Sequence, residues 1–176
     1  MRYPARETAA KHELIVKEAS RLFRERGFEN VTVGEVMKAA GLTHGAFYAH
    51  FHSKQELQQA AVAYGQGVSA DRVKSHGATK KGRRSYAEMY LAPRHRDSPG
   101  NGCTMAALGP EVARSAPELR AAFERGLEDI LAAGGRDRKD SIFQTAALVG
   151  GIVLARAVKD EKFADEILES VRQKLN

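Results

Sequence analysis

Cysteine is almost absent from this sequence, since Cys103 is the single cysteine among 176 residues. One cysteine cannot form a disulfide within the chain, and the Cys/His spacings typical of zinc sites, such as C-x-x-C, are missing as well. The sequence therefore excludes a fold held together by internal disulfides, and we expect no bound metal.

Long hydrophobic runs are missing too. No stretch approaches the ~20 apolar residues that a membrane-spanning helix needs, and the N-terminal segment lacks the apolar region of a secretory signal. Apolar residues nevertheless make up 43% of the chain, which is enough for a buried core. We therefore expect a globular cytoplasmic protein with no membrane partner.

Strand patterns and catalytic motifs are also absent. No segment of useful length alternates apolar and polar residues, so the sequence predicts an all-α protein. No phosphate-binding loop, paired carboxylates or nucleophile–base arrangement is recognisable. We expect the protein to have no enzymatic activity and no cofactor.

Positive charge is concentrated in the first part of the chain. Residues 1–97 contain 17 Lys/Arg and 10 Asp/Glu, whereas residues 98–176 contain 11 and 12. A basic end on a near-neutral body suits a polyanion such as DNA, although a solvated basic loop gives the same count. The densest basic run, Lys80 to Arg84, lies in a Gly-rich segment, Ser75 to Ser85, that we predict to be a mobile loop. A second loop is predicted over Ala92 to Gly102.

Helix caps divide the first third of the chain. Apolar spacing predicts a first helix from Glu7 to Arg26, and a capping box at Thr32 begins a second, shorter helix. Another capping box at Ser53 begins a longer helix. The residues between Thr43 and Phe51 must then form a helix of their own.

The remainder of the chain is predicted to be helical as well. Its apolar stripes are those of amphipathic or buried helices. They run through Met105 to Val112, from a third capping box at Ser115 to Glu118 into Ile130, through Ile142 to Val158, and from Phe163 to Leu175. The sequence thus predicts a three-helix head at residues 1–53 and a larger helical domain at residues 54–176.

The stretch Ala39 to Leu57, AAGLTHGAFYAHFHSKQEL, has the features of a helix-turn-helix. Gly41 suits the turn, and a helical wheel directs both phenylalanines to the core. The opposite side has no Lys, Glu or Arg, which is unusual for a helix that faces only water. Such a side suits a DNA surface, where Gly45 permits close approach and Tyr48 reaches a phosphate or a base.

The residues Thr32 to Leu57, with the core Phe-Tyr-x-His-Phe, closely resemble the DNA-binding head of the tetracycline-repressor (TetR) family of bacterial transcriptional regulators. The helix that ends in Arg26-Gly-Phe28 is similar to the first helix of that family. The resemblance covers about the first third of the chain. It implies a three-helix head, a connecting fourth helix, and a body that binds a ligand and dimerises through its last two helices.

The resemblance also implies which residues contact DNA. Position 44 is usually lysine in such motifs, and histidine stands there in this chain. The implied contacts are Thr32, Thr43, His44, Gly45, Tyr48, His50 and Lys54.

The function implied is that of a ligand-responsive repressor, acting as a homodimer on a palindromic operator in double-stranded DNA. Ligand binding would spread the two heads and lower the affinity for the operator. The alternative is a non-specific or architectural DNA-binding protein without a small-molecule ligand. That protein would bind with strong salt dependence and little sequence preference.

Apolar residues of the body either line a pocket for a small apolar ligand or form solid core, and the sequence leaves both open. Cys103, at a predicted helix start, is either a small buried hydrophobic residue or a reactive thiol that senses oxidants or electrophiles. The candidate pocket residues are Met89, Cys103, Met105, Phe123, Leu127 and Phe143.

Overall fold

The computed structural model describes the backbone of residues 5–175 and the side chains from Glu7 onward. These residues form α-helices and two short 3₁₀ helices, with no β-strand among them, so the all-α prediction is confirmed. The α-helices are α1 (Ala5–Arg26), α2 (Val33–Ala39), α3 (Lys54–His76), α4 (Lys80–Tyr90), α5 (Pro93–Asp97), α6 (Thr104–Val112), α7 (Pro117–Ala133), α8 (Arg138–Ala157) and α9 (Glu161–Leu175), and the 3₁₀ helices are His44–Ala49 and Pro99–Asn101.

The head forms as its caps predict. Thr32 and Glu35 make the predicted capping box at the start of α2, and Gly41 adopts a φ of 68° in the turn that follows. The helix after the turn is a 3₁₀ helix with three residues per turn. Phe47 and Phe51 are nevertheless fully buried, as the wheel predicts.

The hydrophobic core of the head extends into the body without a break. Its aromatic centre, Phe23, Phe47 and Phe51, is in one cluster with Leu57 of α3 and Leu108 of α6. A second cluster, built mainly from α4, α6, α8 and α9, fills the far end of the body. The proposed division between residues 53 and 54 therefore falls inside a continuous core, and it remains a prediction.

A polar contact also joins head to body. The backbone amide of Phe28 donates to a Glu111 carboxylate oxygen at 2.8 Å. Gly27, which adopts a φ of 80° where α1 ends, presents its bare Cα to the same carboxylate. A Cβ at Gly27 would lie 2.7 Å from Glu111 Oε1. The end of α1 is thus fitted to α6 of the body.

The two predicted loops are wrong over most of their length. Helix α3 continues to His76 and α4 begins at Lys80, because the Thr79 hydroxyl accepts the Gly82 amide at 3.0 Å and caps the new helix. The basic run Lys80 to Arg84 is therefore the first part of a helix. Pro93–Asp97 and Pro99–Asn101 are helical as well, because a proline at the first position of each short helix favours helical φ there.

The third capping box is also wrong. Ser115 donates its hydroxyl hydrogen to the Glu111 carbonyl at 2.8 Å, and Ala116 takes the N-cap position of α7 without a side-chain bond. At α3 the Ser53 hydroxyl accepts the Glu56 amide as predicted. The Glu56 carboxylate, however, accepts the amide of His52 rather than that of the cap residue.

Helix α3 passes close to α1 and α6 at Gly65. A Cβ at this position would lie 2.6 Å from Nη1 of Arg24 and 2.8 Å from Oγ of Ser20, and closer still to Thr104. Glycine is the residue that permits this close approach.

Replacing Gly65 by alanine should therefore lower the free energy of unfolding by about 1–3 kcal/mol, the usual effect of overpacking. Gly67→Ala is the matched control on the same helix, since nothing lies within 4 Å of its new Cβ. The free energy of unfolding of Gly67→Ala should rise by up to about 1 kcal/mol, because alanine has a higher helix propensity than glycine. Urea unfolding measures both, and a Gly65→Ala protein as stable as Gly67→Ala would contradict the packing described.

Candidate nucleic-acid interface and ligand cavities

Tyr48 is the most exposed aromatic residue in the helix-turn-helix, with 65% of its surface accessible. Its ring meets the buried Phe47 ring edge-on, with centroids 5.3 Å apart, and the His44 ring at 6.3 Å. A buried neighbour thus sets the direction of an exposed ring, which can reach a group outside the protein.

The start of the 3₁₀ helix is open to solvent. Thr43 takes the N-cap position in an extended conformation, and its hydroxyl makes no capping bond. A Cβ at Gly45 would meet nothing within 4 Å, so packing inside the chain does not require glycine there. A surface that approaches from outside does supply a reason for a small residue.

The N-terminus of α2 lies beside this surface. A Cβ at Gly34 would lie 3.9 Å from the His44 ring and 4.0 Å from Thr32 Oγ1. The Glu35 carboxylate already occupies this helix end, accepting from the Thr32 amide and hydroxyl at 2.8 Å and from Arg26 at 2.8 Å. The amide of Thr32, followed by the Arg26 side chain and the Thr32 hydroxyl, lowers the pKa of Glu35 to about 2.

His50 and Lys54 flank the exposed residues. His50 is half-buried at the end of the 3₁₀ helix, with its ring 5.9 Å from that of His12. Burial, then the nearby His12 and Lys11, lower the pKa of His50 below its ordinary value, which favours the neutral ring. Lys54 is the first residue of α3, directly after its cap. The seven residues remain predicted contacts, with Thr43, His44, Gly45 and Tyr48 on one exposed run.

Two adjoining cavities lie in the body and share the side chains of Tyr86 and Tyr90 as a common wall. We name them the outer cavity and the inner chamber. The outer cavity has a volume of about 400 Å³ and is lined by Met89 and Cys103, with His95 and Arg72. The inner chamber has a smaller volume, about 50 Å³. Its polar lining includes Arg83, Tyr86, Tyr90, Arg136, Ser141 and Gln144.

The structure divides the six candidate pocket residues among different places. Met89 and Cys103 line the outer cavity, and Met105 lines the inner chamber. Phe123 and Leu127 pack against the cores and line neither space. The assignment of Phe143 to a pocket is a misplacement, because its side chain is 66% exposed on the outer face of α8.

Three polar residues of the inner chamber, Arg83, Arg136 and Ser141, were not identified from the sequence. No sequence motif joins these residues, because Arg83 lies on α4, Arg136 in the turn after α7, and Ser141 on α8. The spacing of Tyr86 and Tyr90, four residues apart on one helix face, was the available signal.

His95 connects the cavity wall to the start of α6. Its Nε2 accepts the Cys103 amide at 2.9 Å, which requires Nδ1 to carry the hydrogen and donate it to the Tyr90 carbonyl at 2.6 Å. Burial lowers the pKa of His95, so this neutral tautomer is favoured. Cys103 itself is buried within the second cluster and also lines the outer cavity.

No helix between residues 5 and 175 is long and apolar enough to cross a membrane. Nor do three or more His, Cys, Asp or Glu side chains of that region gather where they could hold a metal ion.

The N-terminal part of the chain is similar to known regulatory proteins. The family model described as bacterial regulatory proteins, tetR family, matches residues 15–61. The uncharacterized HTH-type transcriptional regulator YerO of Bacillus subtilis (strain 168) is 40% identical over 65 residues, which are 37% of this chain and 22% of YerO. This chain thus matches about a fifth to a quarter of the length of its first curated relatives.

One relative is similar over more of the chain. The HTH-type transcriptional repressor NemR of Escherichia coli (strain K12) is 24% identical over 125 residues, 68% of this chain and 63% of NemR. The crystal structure of reduced E. coli NemR superposes with a TM-score of 0.79 at 19% identity, covering 95% of both chains. At this identity the likeness shows a shared fold, including the body.

The capping carboxylate of α2 gives a pH-dependent prediction. Because its pKa is about 2 in the folded protein and about 4.3 in an unfolded chain, ionised Glu35 stabilises the fold above pH 4.3 and loses this effect as the pH falls towards 2. The Tm of Glu35→Gln should therefore lie below that of the wild type at pH 6, and the gap should close between pH 4.5 and 2.

Thermal unfolding followed by circular dichroism across this pH range measures the gap. Glu29→Gln is the matched control, since Glu29 is exposed in the same head and takes no part in the cap. A Tm gap for Glu35→Gln that stays constant down to pH 2 would contradict the assignment.

Proposed function

Because residues 15–61 of this chain form the N-terminal domain of the tetR family of bacterial regulatory proteins, we propose that the protein is a sequence-specific DNA-binding repressor. It acts as a homodimer on a palindromic operator and releases the operator when a small ligand with an apolar body binds. The observation that carries the proposal is the exposure of Thr43, His44, Gly45 and Tyr48 on a segment that is held by buried phenylalanines.

The DNA contacts follow from the exposure of this run. Tyr48 donates to a phosphate or touches a base edge, while Gly45 lets the backbone approach the groove. Thr43 brings the N-terminus of the 3₁₀ helix near a phosphate, and Thr32 places the capped start of α2 beside it. Lys54 supplies a cation over the flanking backbone. His50, favoured as the neutral ring, contributes as a hydrogen-bonding partner.

Dimerisation through α8 and α9 is supported by their exposed apolar side chains. Ile142, Phe143 and Leu154 of α8, with Phe163 of α9, are each about half exposed or more. Large apolar residues gathered on the last two helices are typical of an interface that a second copy covers. A two-fold dimer would present both heads to half-sites one helical turn, or a multiple, apart.

The outer cavity reaches the head through one short turn. Asn101 lines this cavity, and the neighbouring Gly100 accepts hydrogen bonds from Nε and Nη2 of Arg24 at 3.0 and 2.6 Å. A ligand that displaces the turn would therefore pull on α1 of the head. To move the operator from 99% to 1% occupancy, the ligand must prefer the released state by about 5.5 kcal/mol.

The DNA-binding role is tested by selecting fragmented genomic DNA on the purified protein at physiological salt. Wild type should recover fragments that share a palindrome, and Tyr48→Ala should recover them about tenfold less well, because losing the match at one base pair typically costs about 1–3 kcal/mol. Lys159→Ala, an exposed body substitution, is the control and should keep the palindrome. Fragments without a common motif would favour the architectural alternative, and no recovered DNA would contradict DNA binding altogether.

The dimer surface is tested with Phe143→Asp. A charge in an apolar interface should weaken association at least about tenfold, a usual effect at a buried interface position. Leu14→Asp, which alters an exposed apolar residue on α1, should leave association unchanged. Sedimentation equilibrium measures both, and equal dimer dissociation constants would exclude this face.

A further inference from the structure

The inner chamber contains buried polar atoms that the described residues do not satisfy. The hydroxyls of Tyr90 and Ser141, and Nε of Arg83, are buried without a hydrogen-bond partner. Tyr90 is 5% exposed and Ser141 6%. All three side chains line the same chamber. Buried polar groups without partners are uncommon, so three in one small space indicate a missing partner.

The chamber also carries positive charge without a paired carboxylate. Arg83 donates to the Ala78 carbonyl and Arg136 to the Gln144 side chain, and neither forms an ion pair with a described residue. The pKa of Arg136 is lowered first by burial and then by the nearby charge of Arg83. The charge of Asp140 acts in the opposite direction, although Asp140 forms no ion pair with Arg136. Two guanidinium groups near one another favour an anion between them.

The remaining walls are apolar. They combine branched and unbranched hydrophobic side chains of α3, α6, α7 and α8, and they surround a space of about 50 Å³. The residues are Val73, Met105, Ile130, Leu131, Leu148 and Val149. A purely inorganic anion would leave these walls without a partner, whereas an organic anion would cover them.

We propose that the inner chamber binds the carboxylate of a small organic acid, with Arg83 and Arg136 pairing the charge and Ser141 and Tyr90 donating hydrogen bonds. The apolar body of the acid lies along the hydrophobic walls and extends past Tyr86 towards the outer cavity. The inference rests on the proposed function, because it names the chemical class of the ligand that releases DNA.

The position of Tyr90 connects this site to the head. Its carbonyl accepts from His95, which in turn accepts the Cys103 amide at the start of α6. The turn just before Cys103 holds Arg24 of α1 through Gly100. An acid that draws the Tyr90 hydroxyl into the chamber therefore acts on the segment that meets the head.

The test is isothermal titration calorimetry on the full-length protein with sodium octanoate, 1-octanol and inorganic phosphate. Octanoate should bind, and both octanol and phosphate should bind at least about tenfold more weakly, because each lacks either the charge or the apolar chain. Across the series from butanoate to octanoate, affinity should rise by up to about fourfold for each added methylene that the walls cover.

Substitutions locate the binding. Arg136→Gln should lower the affinity for octanoate at least about tenfold, and Arg136→Lys, which keeps the charge, should lower it less. Arg84→Gln is the matched control, since Arg84 is the exposed neighbour of Arg83 and pairs with Glu88 at 3.0 Å. It should bind octanoate as the wild type does. Circular dichroism confirms that each variant is folded before titration.

Equal affinities for octanoate and octanol, phosphate binding as tight as octanoate, no octanoate binding, or unchanged affinity in Arg136→Gln would each overturn the proposal. Fluorescence anisotropy of a labelled operator fragment from the DNA selection measures operator affinity in the same samples. This second measurement distinguishes a failure of the acid site from a failure of the proposed function. Wild type that binds octanoate without losing operator affinity would overturn the assignment of the acid as the releasing ligand. Wild type that binds octanoate but recovers no operator would retain the acid site and contradict the repressor.

Discussion

The arrangement of this protein depends on how Arg24 is held. Its guanidinium is largely buried, which lowers its pKa, and no carboxylate pairs with it among the described residues. A buried cation is costly unless its donors are filled, and here carbonyl and hydroxyl oxygens fill them. Those oxygens come from α1 itself, from the turn at Gly100 and from Thr104 at the start of α6. One side chain thus fixes the distance between head and body.

This constraint explains why head and body share a core. The head cluster includes Leu108 of α6 as well as Leu57 of α3, and the Glu111 carboxylate holds the backbone just after α1. Helix α6 therefore contacts the head through Leu108 and Glu111, while Cys103, the N-cap residue just before it, lines the outer cavity. A movement at the cavity has a short, packed route to α1, and no flexible linker lies between residues 53 and 54 to absorb it.

Sequence reasoning succeeded where the determinants are local. The caps at Thr32 and Ser53 and the turn glycine at Gly41 depend on residues within four positions, so the helix-turn-helix could be read directly. The loop predicted from glycine and charge over Ser75 to Ser85 is wrong, because Thr79 caps a new helix that begins at Lys80. Three predicted pocket residues, Met89, Cys103 and Met105, do line the cavities. The rest of the lining could not be predicted, because whether Phe143 turns inward and Arg136 approaches Arg83 is decided by how α4, α7 and α8 pack.

The contact between Gly27 and Glu111 has a consequence for how such chains diversify. The head of this protein is similar to the heads of regulators with which the rest of the chain shares much less sequence. Yet position 27 accepts no side chain while the carboxylate of position 111 lies against it. A head transplanted onto another body would leave the Phe28 amide without its acceptor unless that body offers a carboxylate at the same place.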